Sequence, residues 1–298
     1  MTRSKDPQAE LRDQLKDTGY IADPALVSSL HLMDVLQKPL LIEGEAGVGK
    51  TEVAKSLASI HKAPLLRLQC YEGLDAQHAL YDWDYKRQLL AIQLAGKSST
   101  DANNKELKSA VYNDDYLLQR PLLAAIRSPE RSVLLIDEVD RADEEFEALL
   151  LEVLSDFQIS VPELGTYTAI HRPLVVLTSN GVRELSDALR RRCLYHYVDY
   201  PSAAVELNIV RTRLPELPQQ LAHQVVNYVQ TLRQAQLRKT PGVAETLDWA
   251  AAIIGLGVSD LSTNKEAIDN TLTCLLKTRE DRDYILRSKQ TETVDESQ

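Results

Sequence analysis

Eight consecutive residues, Gly44-Glu45-Ala46-Gly47-Val48-Gly49-Lys50-Thr51, have the composition and spacing of a phosphate cradle. The glycines let backbone N–H groups converge on an anion without Cβ atoms in the way. The apolar run Pro39-Leu40-Leu41-Ile42 precedes them. Glu52-Val53-Ala54-Lys55-Ser56-Leu57-Ala58 follows, with Val53, Leu57 and Ile60 at helical spacing. Strand, glycine-rich turn, Lys-Thr and helix is the context that gives a G-x-x-x-x-G-K-[ST] match its meaning as a nucleoside triphosphate site. The helix start adds unpaired donors and a partial positive charge. Lys50 would reach the β- and γ-phosphates and Thr51 would place its hydroxyl on Mg²⁺, with Gly44 through Glu52 as the binding segment.

A second group of chemical residues follows at a distance. Arg131-Ser132-Val133-Leu134-Leu135-Ile136 runs into Asp137-Glu138-Val139-Asp140, an apolar strand that delivers two carboxylates at its C-terminal edge. That edge is where open α/β sheets hold ligands. Asp137 is expected beside Mg²⁺ and Glu138 beside the attacking water. The cation offsets two adjacent negative charges. Leu174-Val175-Val176-Leu177-Thr178 ends in Ser179-Asn180, whose amide either aligns that water or simply makes a turn. Residues 183–193 read as a helix that ends in Arg190-Arg191-Arg192. Its arginines either complement the helix dipole or offer a finger to a neighbouring subunit's nucleotide.

Five strands are expected at Pro39–Ile42, Pro64–Gln69, Val133–Ile136, Leu174–Thr178 and Tyr195–Asp199, with helices between them. Asp23 and Asp143 stand at helix starts as caps. Phe146, Leu149, Leu150, Val153 and Leu154 keep the helical period. Gln158–Pro162 and Thr166–Ile170 flank Glu163-Leu164-Gly165 as an inserted hairpin. Residues 96–106 are polar enough for a surface insertion. The stretch Tyr81-Asp82-Trp83-Asp84-Tyr85 either wedges a long loop onto the domain or forms a partner surface. From Ser202 onward only helical periodicity remains. The organisation expected is an arm at 1–20, a nucleotide-binding domain at 21–200, a small all-α domain at 201–288 and a disordered tail at 289–298.

The 298 residues carry a formal net charge of −10 and a pI near 5.2, with 44% hydrophobic and 26% charged residues. The acidic balance disfavours a polyanion binder, whose affinity comes from neutralising phosphates. The longest apolar runs fall short of the roughly 18 residues that cross a bilayer. Cys70, Cys193 and Cys274 are scattered, which fits reduced thiols in a cytoplasmic protein.

The motifs and their order resemble an AAA+ ATPase over nearly the whole chain. The resemblance implies an αβα sandwich on a five-stranded parallel sheet, a helical lid, and use of ATP and Mg²⁺. Carried over by position, Gly44, Gly47, Gly49, Lys50 and Thr51 match Walker A, and Asp137 and Glu138 match Walker B. Asn180 matches sensor 1, and Arg192 or Arg191 matches the finger. Asp137-Glu138-Val139-Asp140-Arg141-Ala142, the hairpin and Arg120-Pro121-Leu122 resemble the MoxR branch. Gln69-Cys70-Tyr71-Glu72-Gly73-Leu74, Trp83-Asp84-Tyr85 and Pro241 through Trp249 resemble its subgroup encoded beside carbon monoxide dehydrogenase-type molybdenum enzymes.

That branch implies a homo-oligomeric ring, usually a hexamer, acting as a chaperone in enzyme maturation or metal-centre insertion. Its partners would be a von Willebrand factor A-type protein and a client metalloenzyme such as a molybdenum hydroxylase. One position departs from the pattern. Many relatives carry an arginine directly after the proline that opens a lid helix, whereas Gly242 follows Pro241 here; Arg238 and Lys239 are the nearby alternatives. A nucleic-acid-directed loader or motor and a nucleotide-gated scaffold are the competing readings. The charge argues against the first and Glu138 against the second.

Overall fold

The computed structural model describes residues 6–75, 79–95 and 111–295. Five strands form a parallel sheet: β1 (Leu40–Gly44), β2 (Leu65–Gln69), β5 (Val133–Asp137), β8 (Leu174–Ser179) and β9 (Leu194–Val198), in the order β2-β5-β8-β1-β9. The three inner strands, β5, β8 and β1, are apolar and almost fully buried because both faces are covered. Leu41, Leu134, Ile136, Val175 and Leu177 share one core with Phe146, Leu150 and Val153 of helix α6 (Glu144–Asp156). Leu40, Ile42, Val133, Leu135, Leu174 and Val176 alternate with them and are equally buried. A two-residue period sends them to the opposite face.

Register decides which residues meet at the carboxyl edge. Ile136 pairs with Leu177, so Asp137 and Thr178 come next to each other. Gln69 pairs with Asp137, and Ile42 with Thr178. Helix starts are capped as the sequence suggests: Asp23 Oδ1 accepts Leu26 N–H at 2.8 Å, and Asp143 Oδ1 accepts Phe146 N–H at 2.9 Å.

The inserted hairpin is present as β6 (Gln158–Val161) and β7 (Gly165–Thr168), paired antiparallel. Ile159 and Val161 anchor it in the sheet core, and Leu164 packs against that core. A short ribbon is also present that the sequence reading lacks, β3 (Tyr81–Trp83) against β4 (Leu117–Gln119). Three-residue strands are too short to show a period, so only the fold exposes them. The ribbon decides the two readings of the aromatic stretch. Trp83 is 7% exposed and meets Tyr112 edge-on at 5.1 Å, which makes it core, whereas Tyr85 is exposed. The polar stretch at 96–106 lies outside the described residues.

The chain divides into two compact units. One is built from Asp23–Glu43 and Thr51–Tyr197 with the chain's first residues. The other combines Asp13–Ala22, Gly44–Lys50 and everything from Val198 onward. The second unit is helical: α8 (Ala203–Arg213), α9 (Gln219–Gln234), α10 (Val243–Gly255), α11 (Lys265–Thr271) and α12 (Arg279–Asp295). Leu221, Val225, Trp249, Ile253, Leu272 and Leu275 form its core. Helix α12 runs on through Asp295. The run from Arg279 to Asp295 contains neither Gly nor Pro, the two residues that most disfavour a helix interior. The helix therefore has no local reason to stop at 288.

Candidate functional site

The glycine-rich loop belongs to the helical unit, and its backbone explains its composition. Gly47 and Gly49 have φ of +77° and +96°, a region that side chains strongly disfavour. Gly44 leaves no room for a Cβ, which would strike the Val198 carbonyl oxygen. Lys50 begins helix α3 (Lys50–His61) and is 7% exposed. Its ammonium donates to the carbonyls of Gly44 at 2.6 Å and Glu45 at 2.7 Å, so the charge is held under the loop. Val48 is buried, while Glu45 and Ala46 are exposed. Glu52 faces the helix surface and pairs with Lys55 at 2.5 Å.

The sheet unit gathers the acids. Asp137 is 4% exposed, and three donors surround its carboxylate. Thr178 Oγ1 donates to Oδ1 at 2.5 Å, and Thr51 Oγ1 donates to the same oxygen at 3.2 Å. Arg67 donates to Oδ2 at 2.5 Å. Thr178 also accepts the backbone N–H of Glu138 at 2.9 Å, so one hydroxyl joins both acids. Glu138 adopts the left-handed conformation, φ +54° and ψ +50°, which is costly outside glycine. Its Oε2 accepts from Arg141 at 3.0 Å. Cys70 lies directly behind: its N–H donates to the Asp137 carbonyl at 2.8 Å. Burial, then the charges of Asp137, Asp140 and Glu138, push its thiol up to about 12.

Asn180 is joined to this group through Asp140, whose Oδ2 accepts the backbone N–H of Asn180 at 3.1 Å and of Val182 at 2.9 Å. The arginines sit apart. Helix α7 (Asp187–Arg192) starts at Ser186, which caps it, so residues 183–185 of the expected helix are lead-in instead. Glu147 holds that lead-in by accepting from Arg183 and from Ser186 N–H, the latter at 2.9 Å. Leu189 anchors the helix, Arg190 faces Glu43 at 3.5 Å, and Arg191 and Arg192 are exposed. Thr178, Arg67 and Asp140 were not foreseen as site residues. Only Asp140 had a sequence signal, its place three residues after Asp137.

In the helical unit, a glycine cradle closed to Cβ atoms and a buried lysine suit phosphates. In the sheet unit, a hydroxyl beside a carboxylate suits a hard cation with oxygen ligands. The family model of the AAA domain (dynein-related subfamily) matches residues 39–193, more than half of the chain. The chain belongs to this AAA family. It is accordingly an ATPase that uses ATP and Mg²⁺.

Relatives of this AAA protein are distant. An uncharacterised protein of Staphylococcus epidermidis is 24% identical over 277 residues, covering 90% of this chain and 95% of the relative. The gas vesicle ATPase GvpN of Haloferax mediterranei is 25% identical over 210 residues, covering 66% of this chain and 57% of GvpN. Among solved structures, a point mutant of Thermotoga maritima RuvB is similar with a TM-score of 0.49 and 16% identity. The match covers 89% of this chain and 69% of the RuvB chain. Among the described residues, no helix is long and apolar enough to cross a membrane.

Proposed function

We propose that this AAA protein is a MoxR-type ring ATPase, hexameric by resemblance, that remodels a client metalloenzyme during maturation or metal-centre insertion together with a von Willebrand factor A-type partner. The observation that carries the reading is the β6–β7 hairpin. It is inserted between the helix that follows Asp137-Glu138 and the strand that ends just before Asn180. Ile159 and Val161 root it in the same core as both of those segments, while Glu163 and Gly165 at its tip are exposed. A rooted arm of this kind can carry a change at the nucleotide-reading strands to a bound protein. Trp83 lies in the core, so the hairpin replaces the aromatic stretch as the client-facing element. The net charge of −10 weighs against a nucleic-acid track.

In this reading Lys50 and the loop N–H groups bind the phosphates, and Thr51 and Asp137 hold Mg²⁺. Bound Mg²⁺ neutralises charge on the transferring phosphoryl group. Glu138 accepts the proton of the attacking water, and Asn180 orients that water. Arg191 or Arg192, exposed on α7, reaches the nucleotide of a neighbouring subunit. Lys50→Ala is expected to abolish ATP binding, and Glu138→Gln to bind ATP without hydrolysing it. Arg192→Ala should bind ATP and stay nearly inactive, since fingers contribute about 10³–10⁵ in rate. Mixing it with Lys50→Ala protein should restore some turnover. The function itself is tested by deleting the gene and measuring metal content and activity of the client molybdenum hydroxylase. Fully metallated, active enzyme in the deletion strain overturns the chaperone reading.

A further inference from the structure

Gly242 occupies the position after Pro241 where many relatives carry an arginine, and its backbone does not require glycine. Its φ of −84° and ψ of −174° are extended values that any residue adopts. Space is what forbids a side chain. A Cβ there would stand 2.8 Å from the Ala46 carbonyl oxygen, 2.8 Å from Gly47 Cα and 2.9 Å from the Gly47 carbonyl carbon, all of them main chain. The approach is mutual, because a Cβ on Gly47 would stand 3.3 Å from Gly242 Cα and 2.8 Å from Glu245 Oε2. A hydrogen bond spans the same contact, from Ala244 N–H to the Gly47 carbonyl at 3.2 Å.

The other side of this contact is clamped. Arg233 donates through Nε to the Pro241 carbonyl at 2.8 Å and forks onto the buried Glu206 at 2.7 and 2.6 Å. Thr246 Oγ1 lies 2.7 Å from Glu206 and 3.0 Å from the Gly242 carbonyl. Glu245 accepts the Gly242 N–H at 3.0 Å, which closes the first turn of α10. A shift at the crown of the loop, Ala46-Gly47, therefore meets a stiff assembly and passes into α10 instead of dissipating.

We infer that Gly242 is the nucleotide-positioning residue of the helical unit: it and Ala244 hold the crown of the phosphate loop through main-chain contact, so that loop occupancy is transmitted to α10 without an arginine. The inference rests on the nucleotide-binding reading of the loop.

Trp249 supplies a reporter. It lies on α10, fully buried, with Nε1 donating to Thr271 at 2.8 Å, and the chain has two tryptophans. In a Trp83→Phe background, Mg²⁺–ADP is expected to change Trp249 emission. Adding Gly242→Ala should weaken ADP binding by about tenfold or more, the scale of overpacking a rigid contact. It should also erase the emission change at saturating ADP. In the unsubstituted protein, hydrogen exchange across 241–249 should slow with ADP together with 44–50, a readout that requires no variant to fold. Unchanged ADP affinity in Gly242→Ala, or ADP protection confined to 44–50, overturns the inference. Absence of ADP binding by the unsubstituted protein overturns the underlying nucleotide reading instead.

Discussion

Asp140 accepts the backbone N–H of Asn180 at 3.1 Å, and this hydrogen bond ties the segment that carries Glu138 to the end of strand β8. The same carboxylate oxygen takes Val182 N–H, so one side chain sets the course of the Asn180-Gly181-Val182 turn. Asp140 is 2% exposed, which keeps both bonds out of competition with water.

Asp140→Ala strands those two donors. Leaving buried donors unpaired costs about 1–3 kcal/mol of stability. The sharper effect is expected in kcat, because Asn180 loses its anchor while Lys50 and the loop are untouched. Steady-state kinetics beside ADP titration should show kcat falling by about tenfold with ADP affinity within about threefold. Asp140→Asn keeps one carbonyl acceptor and should lie between the two. Equal losses in kcat and ADP affinity would mean that Asp140 supports the whole site and not Asn180.

Glu138 occupies left-handed backbone at φ +54°. A non-glycine residue there stores about 1–3 kcal/mol, held by the surrounding structure. Glu138→Gly should therefore abolish hydrolysis and yet melt at or slightly above the temperature of the parent. Calorimetry on Glu138→Gly and Glu138→Ala decides it: the alanine variant keeps the strain and should melt lower than the glycine variant.

Trp83 belongs to the core beneath the β3–β4 ribbon, with Tyr81 and Tyr112 edge-on at 6.2 and 5.1 Å. Trp83→Ala should cost about 3–5 kcal/mol in a denaturant titration, as large aromatic truncations do. ATPase activity of the folded fraction should stay close to the parent's. A fully stable Trp83→Ala protein with an altered client phenotype would return this residue to a partner surface.

Two thiols are shifted far from their ordinary value of 9.0. Burial and the neighbouring carboxylates raise Cys70 to about 12. Burial raises Cys193 to about 12 against the opposing charge of Lys38. The folded chain keeps both protons where the unfolded chain has released them. The stability linked to these thiols is complete below about pH 9 and is lost as pH climbs towards 12. Replacing both with alanine or serine should flatten the alkaline limb of a stability–pH curve. In native protein at pH 8, Cys70 and Cys193 should resist iodoacetamide and react only after unfolding.

Local chemistry carries far in this chain. The phosphate loop, the acids at the end of β5, Asn180 at the end of β8, the capped helices and the change to all-helical periodicity after residue 200 follow from residue types and spacing. Each depends on neighbours within a few positions. Tertiary structure decided the rest. Thr178 joins Asp137 and Glu138 across 41 and 40 residues, and Arg67 reaches Asp137 across 70, because strand register sets those side chains next to each other. Trp83 became core through a ribbon too short to have a period. Gly242 is glycine because the main chain at Gly47 leaves it no room. Spacing along the chain encodes which groups each element carries. Distances between elements arise only when both faces of the sheet and the helical core are packed, and the proximity of one backbone to another leaves no mark in either local pattern.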